Sequence, residues 1–410
     1  MQRLYFLLLL LLCFGRESQA QDVALKHAPV LMDNAPAAES STLLWPQSMV
    51  AELDSLLTDD LFLTSQLGLM VYDLDADSAL YCRGERQRLR PASTQKLLTA
   101  IAALDNLSGN YQYTTDLRYT GTIADSTLTG NLFCVGGFDP CFSNADMQAM
   151  VNSLVALGID TIRGCIYADK SMKDGNLLGE GWCWDDKNPV LSPLLYNRKD
   201  VFLDYFVDAL TERGVVVDAM RMEGRCPDDA RTLYSSRRLI DEVLLRMMKE
   251  SDNLYAESVF YQLAASTGER PASAKHAAGA IKRLIERVGL DPSTYYIADG
   301  SGLSLYNYAS AELEVRLLRY AWKDSHIFLH LRPSLPESGV DGTLKSRMQD
   351  PLTRGRVFAK TGSVTGISSL AGYCIAANGH MLAFCIINQG LRRAALGREF
   401  QDKVCAAMCR

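Results

Sequence analysis

A serine and a lysine three residues apart, Ser93 and Lys96, form the first pair in the sequence that could perform nucleophilic catalysis. A serine hydroxyl is a poor nucleophile until a base takes its proton. A lysine three residues along a helix lies on the same face, and burial near the positive end of the helix can keep its amine neutral. Of the thirteen lysines, Lys96 alone has a serine three positions before it. A helix N-cap beside a solvated lysine would give the same pair.

A second motif, Ser251-x-Asn253, combines a hydroxyl that could pass on a proton with a carboxamide that could orient a lysine and hold a substrate amide. Standing alone, it would fit the polar C-terminus of a helix equally well. The same spacing recurs at Ser108 and Asn110, near the end of the helix that is predicted to begin at Ser93. We interpret this second copy as a turn.

The third motif, Lys360-Thr361-Gly362-Ser363, occurs once. A cation and a hydroxyl on an edge strand suit a terminal carboxylate. Gly362 would let a substrate approach the backbone, and the N–H of Ser363 could point at a developing oxyanion. A surface turn is the alternative interpretation.

Two predicted helices would position the first two motifs. Pro91 and the apolar stripe that follows predict a helix that begins near Ser93. A second apolar stripe predicts a helix over residues 236–249, which ends just before Ser251.

A predicted hairpin follows the third motif. Asn378-Gly379 between two apolar runs predicts a two-residue turn. Such a turn would bring Cys374 and Cys385 to the same face as diagonal neighbours, where we expect two separate thiols. A last helix, predicted over residues 392–409, would pack on this hairpin.

The three motifs together, in this order, are those of serine β-lactamases and penicillin-binding proteins. The chain therefore resembles the penicillin-recognising serine enzymes. In class A β-lactamases the first two motifs are close in sequence, whereas 158 residues separate Ser93 from Ser251 here. This length leaves room for an inserted domain.

Further segments look like those of one group, the D-alanyl-D-alanine carboxypeptidase/endopeptidases of the class C low-molecular-mass penicillin-binding proteins. These segments are residues 135–140, 251–257, 299–304 and 335–344. The resemblance extends from about Leu67 to the C-terminus. Members of the group usually carry two domains between the first two motifs, whereas the segment here is predicted to hold one.

The resemblance implies an acyl-enzyme mechanism on peptidoglycan stem peptides. Lys96 would take the proton of Ser93, which attacks the carbonyl between two D-alanine residues. The backbone N–H groups of Ser93 and Ser363 would stabilise the oxyanion, and Ser251 would pass a proton to the leaving amine. Water would then release the acyl group. No metal and no organic cofactor is implied.

The remaining motif residues would bind the substrate. Asn253 would hold the substrate amide and orient Lys96, while Lys360 and Thr361 would bind the terminal carboxylate beside Gly362. β-Lactam antibiotics would acylate the same serine and act as inhibitors. Trimming of a terminal D-alanine and cutting of a cross-link place the same groups at these residues, so both activities stay open.

The resemblance also predicts the fold class, an α+β serine β-lactamase/transpeptidase-like domain with an antiparallel sheet flanked by helices. Residues 113–226 alternate short strands with Gly, Asp and Asn turns, which predicts a mostly β inserted domain with a helix at residues 201–213. The catalytic domain would then comprise residues 21–112 and 227–410.

Two other functions share much of this pattern. A serine β-lactamase would use the same acylation residues but would release penicillin quickly. A catalytically inactive peptidoglycan-binding module would keep the fold and lose the chemistry. The long insert and the accessory segments argue against the first, and the three intact motifs argue against the second.

Composition narrows the function classes further. The 410 residues are 48% hydrophobic and 22% charged, which excludes disordered, collagen-like and coiled-coil chains. A formal net charge of −6 disfavours a nucleic-acid partner bound through a basic surface. No apolar run reaches the roughly 18 residues of a membrane span, so a multi-span membrane protein is excluded.

The N-terminus has the pattern of a signal peptide. Arg3 precedes an apolar stretch over residues 4–14, and Ser18 and Ala20 supply small residues at a cleavage site. We therefore predict that residues 1–20 are removed and that the protein is exported, to the periplasm or beyond, without a transmembrane anchor after cleavage.

Cleavage would remove Cys13 and leave ten cysteines, an even number that is compatible with disulfides in an exported chain. The short loop between Cys134 and Cys141 favours that pair. Cys405 and Cys409 lie four residues apart on a predicted helix and are expected to be packed thiols. A structural zinc site is not expected, because no Cys-x-x-Cys spacing occurs and the five histidines are scattered.

Overall fold

The computed structural model describes residues 44–185 and 187–410. The predicted signal peptide and residues 21–43 of the predicted catalytic domain lie outside the described residues. The described residues form one compact unit. No helix in the described part of the chain is long and apolar enough to cross a membrane.

The strands are, in chain order, β1 (Gln66–Asp73), β2 (Ser78–Arg83), β3 (Gln112–Ala124), β4 (Thr127–Val135), β5 (Thr161–Asp169), β6 (Val216–Glu223), β7 (Arg231–Leu239), β8 (Val357–Val364), β9 (Ile367–Ile375) and β10 (Met381–Gln389). The α-helices are α1 (Gln47–Leu56), α2 (Gln95–Leu107), α3 (Asn144–Ala156), α4 (Phe202–Glu212), α5 (Ile240–Lys249), α6 (Asn253–Ala265), α7 (Ala274–Arg287), α8 (Ala311–Lys323), α9 (Ser325–Ser334) and α10 (Ala394–Cys409).

The first sheet has the order β2-β1-β10-β9-β8, and every neighbouring pair is antiparallel. One face packs on α1 and α10, and the other packs on α2 and α8. Strands β1, β9 and β10 are therefore buried along nearly their whole length. Strand β8, which carries the third motif, lies at the edge of the sheet, as predicted.

The second sheet lies between α2 and α5 in the sequence and has the order β6-β5-β4-β3-β7. Its pairs β4–β5 and β5–β6 are parallel, whereas β3 pairs antiparallel with β4 and β7. Parallel neighbours need a crossover, which α3 and α4 provide. The predicted helix at residues 201–213 is confirmed as α4, but α3 was not foreseen by the sequence analysis. The domain limits at 112/113 and 226/227 stay a prediction.

The helix predicted over residues 236–249 begins later than expected. Residues 236–239 belong to β7, because they pair with residues 112–115 of β3, and α5 begins at Ile240. The predicted apolar stripe is confirmed: Val243, Leu244, Met247 and Met248 are all buried.

The hairpin between β9 and β10 has a three-residue loop instead of the predicted two-residue turn. Leu382 pairs with Cys374, and the loop closes where the N–H of Ala376 donates to the carbonyl oxygen of His380 at 2.8 Å. One extra loop residue exchanges the two faces of a strand. Cys374 and Cys385 therefore lie in the cores on opposite faces of the sheet, and the expectation of a shared face is wrong.

The cysteines of the described residues are free thiols. The favoured pair does not form, because Cys134 lies in the core of the second sheet whereas Cys141 packs against the other core near Tyr255. The expectation of separate thiols at positions 374 and 385 is confirmed. Cys405 and Cys409 are packed thiols on α10, as expected, and the sulfur of Cys409 lies 3.4 Å from that of Cys374.

Candidate active site

Ser93 lies in a tight turn that leads into α2. A single 3₁₀ turn spans Ala92–Thr94, and α2 begins at Gln95, which confirms the predicted helix start. Ala92 has a left-handed backbone conformation with a φ of 50°. A non-glycine residue in this conformation is strained, and such strain persists where the surrounding structure enforces it. The partly buried Ser93 is therefore presented by an enforced turn at the N-terminus of a buried helix.

Lys96 lies directly behind Ser93 and contacts three oxygen atoms. Its Nζ lies 3.1 Å from Ser93 Oγ, 2.8 Å from Asn253 Oδ1 and 2.7 Å from the carbonyl oxygen of Ser301. The structure thus brings together the first residue of one predicted motif, its lysine and the asparagine of a second motif.

The amine of Lys96 is fully buried, and burial lowers its pKa to about 8. The carboxylates of Asp299, Glu257 and Asp252 act in the opposite direction and limit the decrease. A sizeable fraction of the amine is therefore neutral near neutral pH, as a general base requires.

Ser251 and Asn253 lie at the junction of α5 and α6. Ser251 has a left-handed φ of 59°, which turns the chain so that α6 begins at Asn253. Asp252 caps α6 by accepting a hydrogen bond from the N–H of Leu254 at 3.1 Å. The same carboxylate forms salt bridges with Arg198 and Arg246. The predicted helix-terminal loop is thus held by a cap and two cations.

The loop at residues 299–304 supplies the backbone carbonyl that contacts Lys96. Buried Glu257 accepts hydrogen bonds from the N–H groups of Gly300 and Ser301 at 3.1 and 2.8 Å. Burial, aided by the charge of Asp299, raises the pKa of Glu257 to about 8. Asp299 accepts a hydrogen bond from the indole N–H of Trp182 at 2.8 Å. These side chains fix the position of the Ser301 carbonyl.

Gly362 lies directly against the turn that carries Ser93. A Cβ atom there would lie 2.1 Å from Ser369 Oγ, 2.8 Å from the carbonyl oxygen of Pro91 and 2.9 Å from the backbone nitrogen of Ser93. Glycine is thus needed so that β8 can pack beside the Ser93 backbone. Ser363, the next residue, is exposed and pairs with Ser368 of β9.

The lysine of the third motif is buried. Its Nζ donates to the carbonyl oxygen of Thr361 at 2.7 Å, and burial, with a smaller contribution from the charge of Lys96, lowers the pKa of Lys360 well below its usual range. The hydroxyl of Thr361 lies 2.8 Å from that of Thr343, which belongs to the segment 335–344. Hydroxyl groups therefore line this part of the site, with a lysine beneath them.

One group in the described residues has the composition of a metal site. Donor atoms of Asp73, Asp75 and His380 lie within 4.8 Å of one another. Their hydrogen bonds account for the arrangement: Asp73 contacts His380 Nδ1 at 2.8 Å, and Asp75 accepts from the N–H of Met381. The group joins the β1–β2 turn to the β9–β10 loop.

Several residues that support the site have no distinguishing signal in the sequence. Glu257 lies within one of the quoted segments, but a glutamate inside a helix gives no sign that it is buried. The carbonyl of Ser301 carries no residue-specific signal at all. Arg198 and Trp182 come from the part of the chain between the first two motifs, and only the folded structure brings them to the site.

The chain was compared with protein families and with characterised proteins. The family model described as D-Ala-D-Ala carboxypeptidase 3 (S13) matches residues 49–195 and 194–408. A D-alanyl-D-alanine carboxypeptidase DacB from Haemophilus influenzae is 26% identical over 80% of this chain and 86% of its own length. A D-alanyl-D-alanine carboxypeptidase from Actinomadura sp. strain R39 is 25% identical over 92% of this chain and 88% of its own length.

Solved structures share the fold. Penicillin-binding protein 4 (dacB) from Haemophilus influenzae superposes with a TM-score of 0.78, at 22% identity, over 86% of this chain and 97% of that one. A predatory endopeptidase from Bdellovibrio bacteriovorus superposes with a TM-score of 0.57 at 16% identity, over 84% of this chain and 92% of that one. The predicted α+β transpeptidase-like fold class is thereby confirmed.

Proposed function

The chain belongs to the D-Ala-D-Ala carboxypeptidase 3 (S13) family, and from this premise we propose that Ser93 is the nucleophile of a serine-type carboxypeptidase that forms an acyl-enzyme. The observation that carries the proposal is the triple contact of the Lys96 amine with Ser93, Asn253 and the Ser301 carbonyl. A neutral amine has two hydrogens and one lone pair. It would donate both hydrogens to Asn253 and Ser301, and the lone pair would then face the hydroxyl of Ser93.

Acylation follows from this arrangement. Lys96 takes the hydroxyl proton while Ser93 Oγ forms a bond to the substrate carbonyl carbon. The resulting ammonium fits the same site, because its third hydrogen points at Ser93 Oγ, which has just bonded to the carbonyl carbon. The N–H groups of Ser93 and Ser363 stabilise the oxyanion. The tetrahedral intermediate collapses when Ser251 passes the proton held by Lys96 to the leaving amine, which restores the neutral lysine, and water later hydrolyses the ester.

The third motif binds the carboxylate of the substrate. The hydroxyls of Thr361 and Thr343 lie together at the surface of β8, and Lys360 is buried behind them. A bound carboxylate would stabilise the charged form of this amine, which burial otherwise disfavours. Gly362 keeps the strand close to the backbone of Ser93, so that the carboxylate and the scissile carbonyl can bind one residue apart. A terminal D-alanine offers this combination.

We further propose that the substrates are peptidoglycan stem peptides and that β-lactams acylate Ser93. The carboxypeptidase names of the relatives support the substrate class. The related penicillin-binding protein 4 has been solved with a β-lactam, which supports the inhibitor class. Such a substrate requires export, consistent with the signal peptide proposed for residues 1–20. Carboxypeptidase and endopeptidase activity differ only in what is attached to the leaving amine.

The first test is acylation of the chain from Gln21 onward by a fluorescent penicillin, followed by gel and intact mass. We expect a stable adduct on the wild type and none on Ser93→Ala. Asn253→Ala should slow acylation, whereas Asn110→Ala, in the second copy of the same spacing, should not. The matched pair separates the motif from its chance duplicate.

Other outcomes identify the alternatives. Rapid turnover of the penicillin without a lasting adduct would favour a serine β-lactamase. A folded protein with neither adduct nor turnover would favour an inactive peptidoglycan-binding module. Synthetic stem peptides ending in D-Ala-D-Ala, and cross-linked dimers of them, would then compare release of D-alanine with cleavage of the cross-link.

A further inference from the structure

Glu314 of α8 is a fully buried carboxyl group beneath the nucleophile turn. Its Oε1 lies 2.7 Å from Thr94 Oγ1, and its Oε2 lies 3.4 Å from the sulfur of Cys385 on β10. No catalytic step described above uses this group. A buried carboxylate normally requires a cation or several hydrogen-bond donors.

No cation faces Glu314 within the described residues. The thiol of Cys385 is the titratable group that reaches it. Charged and titratable side chains on the other elements packed against α8 make their contacts elsewhere or are exposed: Lys96 and Asp105 of α2, Tyr72 and Asp73 of β1, Tyr373 of β9, and His326, His330 and Arg332 of α9. Burial accordingly raises the pKa of Glu314 to about 7, while Thr94 and Cys385 oppose the increase.

The hydrogens can be assigned from the geometry. Thr94 Oγ1 lies within hydrogen-bond distance of two oxygens, the carbonyl of Pro91 at 2.9 Å and Glu314 Oε1 at 2.7 Å. The hydroxyl has one hydrogen, and a carbonyl can only accept. An ionised Glu314 would be a second acceptor, so one of the two short contacts would lack a hydrogen. A neutral Glu314 donates to Thr94, and Thr94 donates to Pro91, which satisfies every atom.

We propose that Glu314 is a neutral carboxylic acid that positions the nucleophile by donating a hydrogen bond to Thr94. This inference rests on the proposed role of Ser93. A chain of hydrogen bonds, here called the series, runs from Cys385 through Glu314 and Thr94 to the carbonyl oxygen of Pro91. This carbonyl oxygen also accepts a hydrogen bond from Ser369 Oγ at 2.6 Å. Pro91 immediately precedes the strained residue Ala92, so this series holds the turn that presents Ser93. Glu314 is a positioning residue, because it touches neither the substrate nor the reacting atoms.

Ionisation of Glu314 would reverse the direction of its hydrogen bond with Thr94. A carboxylate would take the single hydrogen of Thr94, and the carbonyl of Pro91 would lose one of its two hydroxyl donors. The turn would then be held less firmly, and acylation of Ser93 would become slower. Glutamine has the shape of glutamate and keeps an N–H donor at every pH, whereas leucine has a similar volume and no donor.

The first test does not depend on activity. An infrared difference spectrum between wild type and Glu314→Gln should contain the C=O stretch of a protonated carboxylic acid in mildly acidic buffer, and this band should disappear at alkaline pH. Glu312→Gln on the same helix should give no such band, because Glu312 forms salt bridges with Arg316 and Arg86. Absence of the band in the Glu314→Gln difference overturns the proposal.

The second test is the rate constant of acylation by a chromogenic β-lactam as a function of pH, expressed as the ratio of variant to wild type so that other titrations cancel. For Glu314→Gln the ratio should be near one at about pH 6 and should rise to about five to ten at about pH 8.5, where the wild type has lost its donor. Glu314→Leu should be slowed about tenfold at acidic pH, as should Thr94→Val, while Thr94→Ser should recover most of the rate.

The outcomes separate this proposal from the proposed function. A ratio for Glu314→Gln that is low and independent of pH, like that of Glu314→Leu, would mean a merely structural role. If Ser93→Ala were still acylated, the assignment of the nucleophile would fail while the infrared band remained. Near-ultraviolet circular dichroism of each variant shows whether slow acylation reflects loss of the fold.

Discussion

The buried amine of Lys96 links the electrostatics of the site to the pH at which it can act. Its folded-state pKa of about 8 lies below the usual value because burial disfavours the ammonium. The neutral amine is the proposed base, and below the pKa its fraction grows about tenfold for each unit by which the pH rises. The nearby acidic groups Asp299, Glu257 and Asp252 keep the decrease moderate, so the lysine can also return a proton.

We therefore predict that the acylation rate of the wild type rises about tenfold per pH unit between about pH 5 and 7. At about pH 6 and below, Glu314, whose pKa is about 7, is mostly protonated, so the increase there reports Lys96. Lys96→Arg should lose about 10²–10⁴-fold at every pH, because a guanidinium does not deprotonate. Stopped-flow acylation by a chromogenic β-lactam measures both. Lys345→Arg, an exposed lysine, is the control, and a flat profile over this range would contradict the assignment of Lys96 as base.

At the scale of elements, the site depends on how closely β8 approaches the turn before α2. Gly362 is the contact, since any Cβ there would collide with the Pro91 carbonyl, the Ser93 nitrogen and Ser369. The strand therefore cannot lie beside Ser93 unless this residue is glycine. The third motif thus acts through its geometry as well as through its polar groups.

We predict that Gly362→Ala slows acylation at least about tenfold and lowers the free energy of unfolding by about 1–3 kcal/mol, because a well-packed contact is forced apart. Gly379→Ala in the β9–β10 loop is the matched control. Its Cβ would meet open space, but its φ of 88° makes alanine strained there. It should cost about 1 kcal/mol of stability and leave acylation unchanged. Urea denaturation with acylation kinetics tests the pair, and equal acylation by both variants would contradict this account of Gly362.

The sequence predicted the elements that carry the motifs better than their register. Asn378-Gly379 indicated the hairpin correctly, but β9 and β10 are buried on both faces, so their apolar runs contain no alternation that marks a face. The additional loop residue, and with it the sides taken by Cys374 and Cys385, was therefore not predictable from the pattern. Strand β7 was missed for the opposite reason, since its mostly polar residues become a strand by pairing with β3.

In the candidate site, too, some residues could be predicted from the sequence and others could not. Ser93, Lys96 and Asn253 were predictable because their side chains carry the chemistry and the three motifs occur together in a recognisable order. The carbonyl of Ser301 was not, since a backbone oxygen is present in every residue. Glu314 was not either, because its place in the segment Ala311–Lys323, beside other charged residues, resembles that of an exposed helix residue.

At the scale of the whole molecule, the second sheet supports the helix that carries Asn253. The loop after β4 lies on α6, where Ser258 Oγ donates to the carbonyl of Phe138 at 2.6 Å and the Gln262 amide donates to the carbonyl of Gly137. The loop before α4 supplies Arg198, whose guanidinium pairs with the capping residue Asp252. The part of the chain between the first two motifs thus braces the second motif directly.

These contacts predict that substitution of Arg198 changes the position of the groups in the candidate active site. Asp252 is largely buried, and removing one of its two cations leaves part of its charge uncompensated beside Asn253. We expect Arg198→Ala to slow acylation about five- to tenfold, equivalent to about 1 kcal/mol, because Arg246 still holds the carboxylate. The double variant Arg198→Ala/Arg246→Ala should slow acylation by more than the two single effects combined, because the carboxylate of Asp252 would then have neither of its two cations.

The control for Arg198 comes from the same part of the molecule. Arg221 of β6 forms an exposed salt bridge with Asp204 of α4, so Arg221→Ala should change neither acylation nor stability by more than about 0.5 kcal/mol. The second-order rate constant of acylation, measured for each variant, compares the effects of the two substitutions. If Arg198→Ala and Arg221→Ala acylate alike, the second sheet would be attached to the catalytic sheet without supporting its chemistry. If only Arg198→Ala is slow, the chain between the first two motifs supports the chemistry of the site, and the buried carboxylate of Asp252 is one contact through which it acts on Asn253.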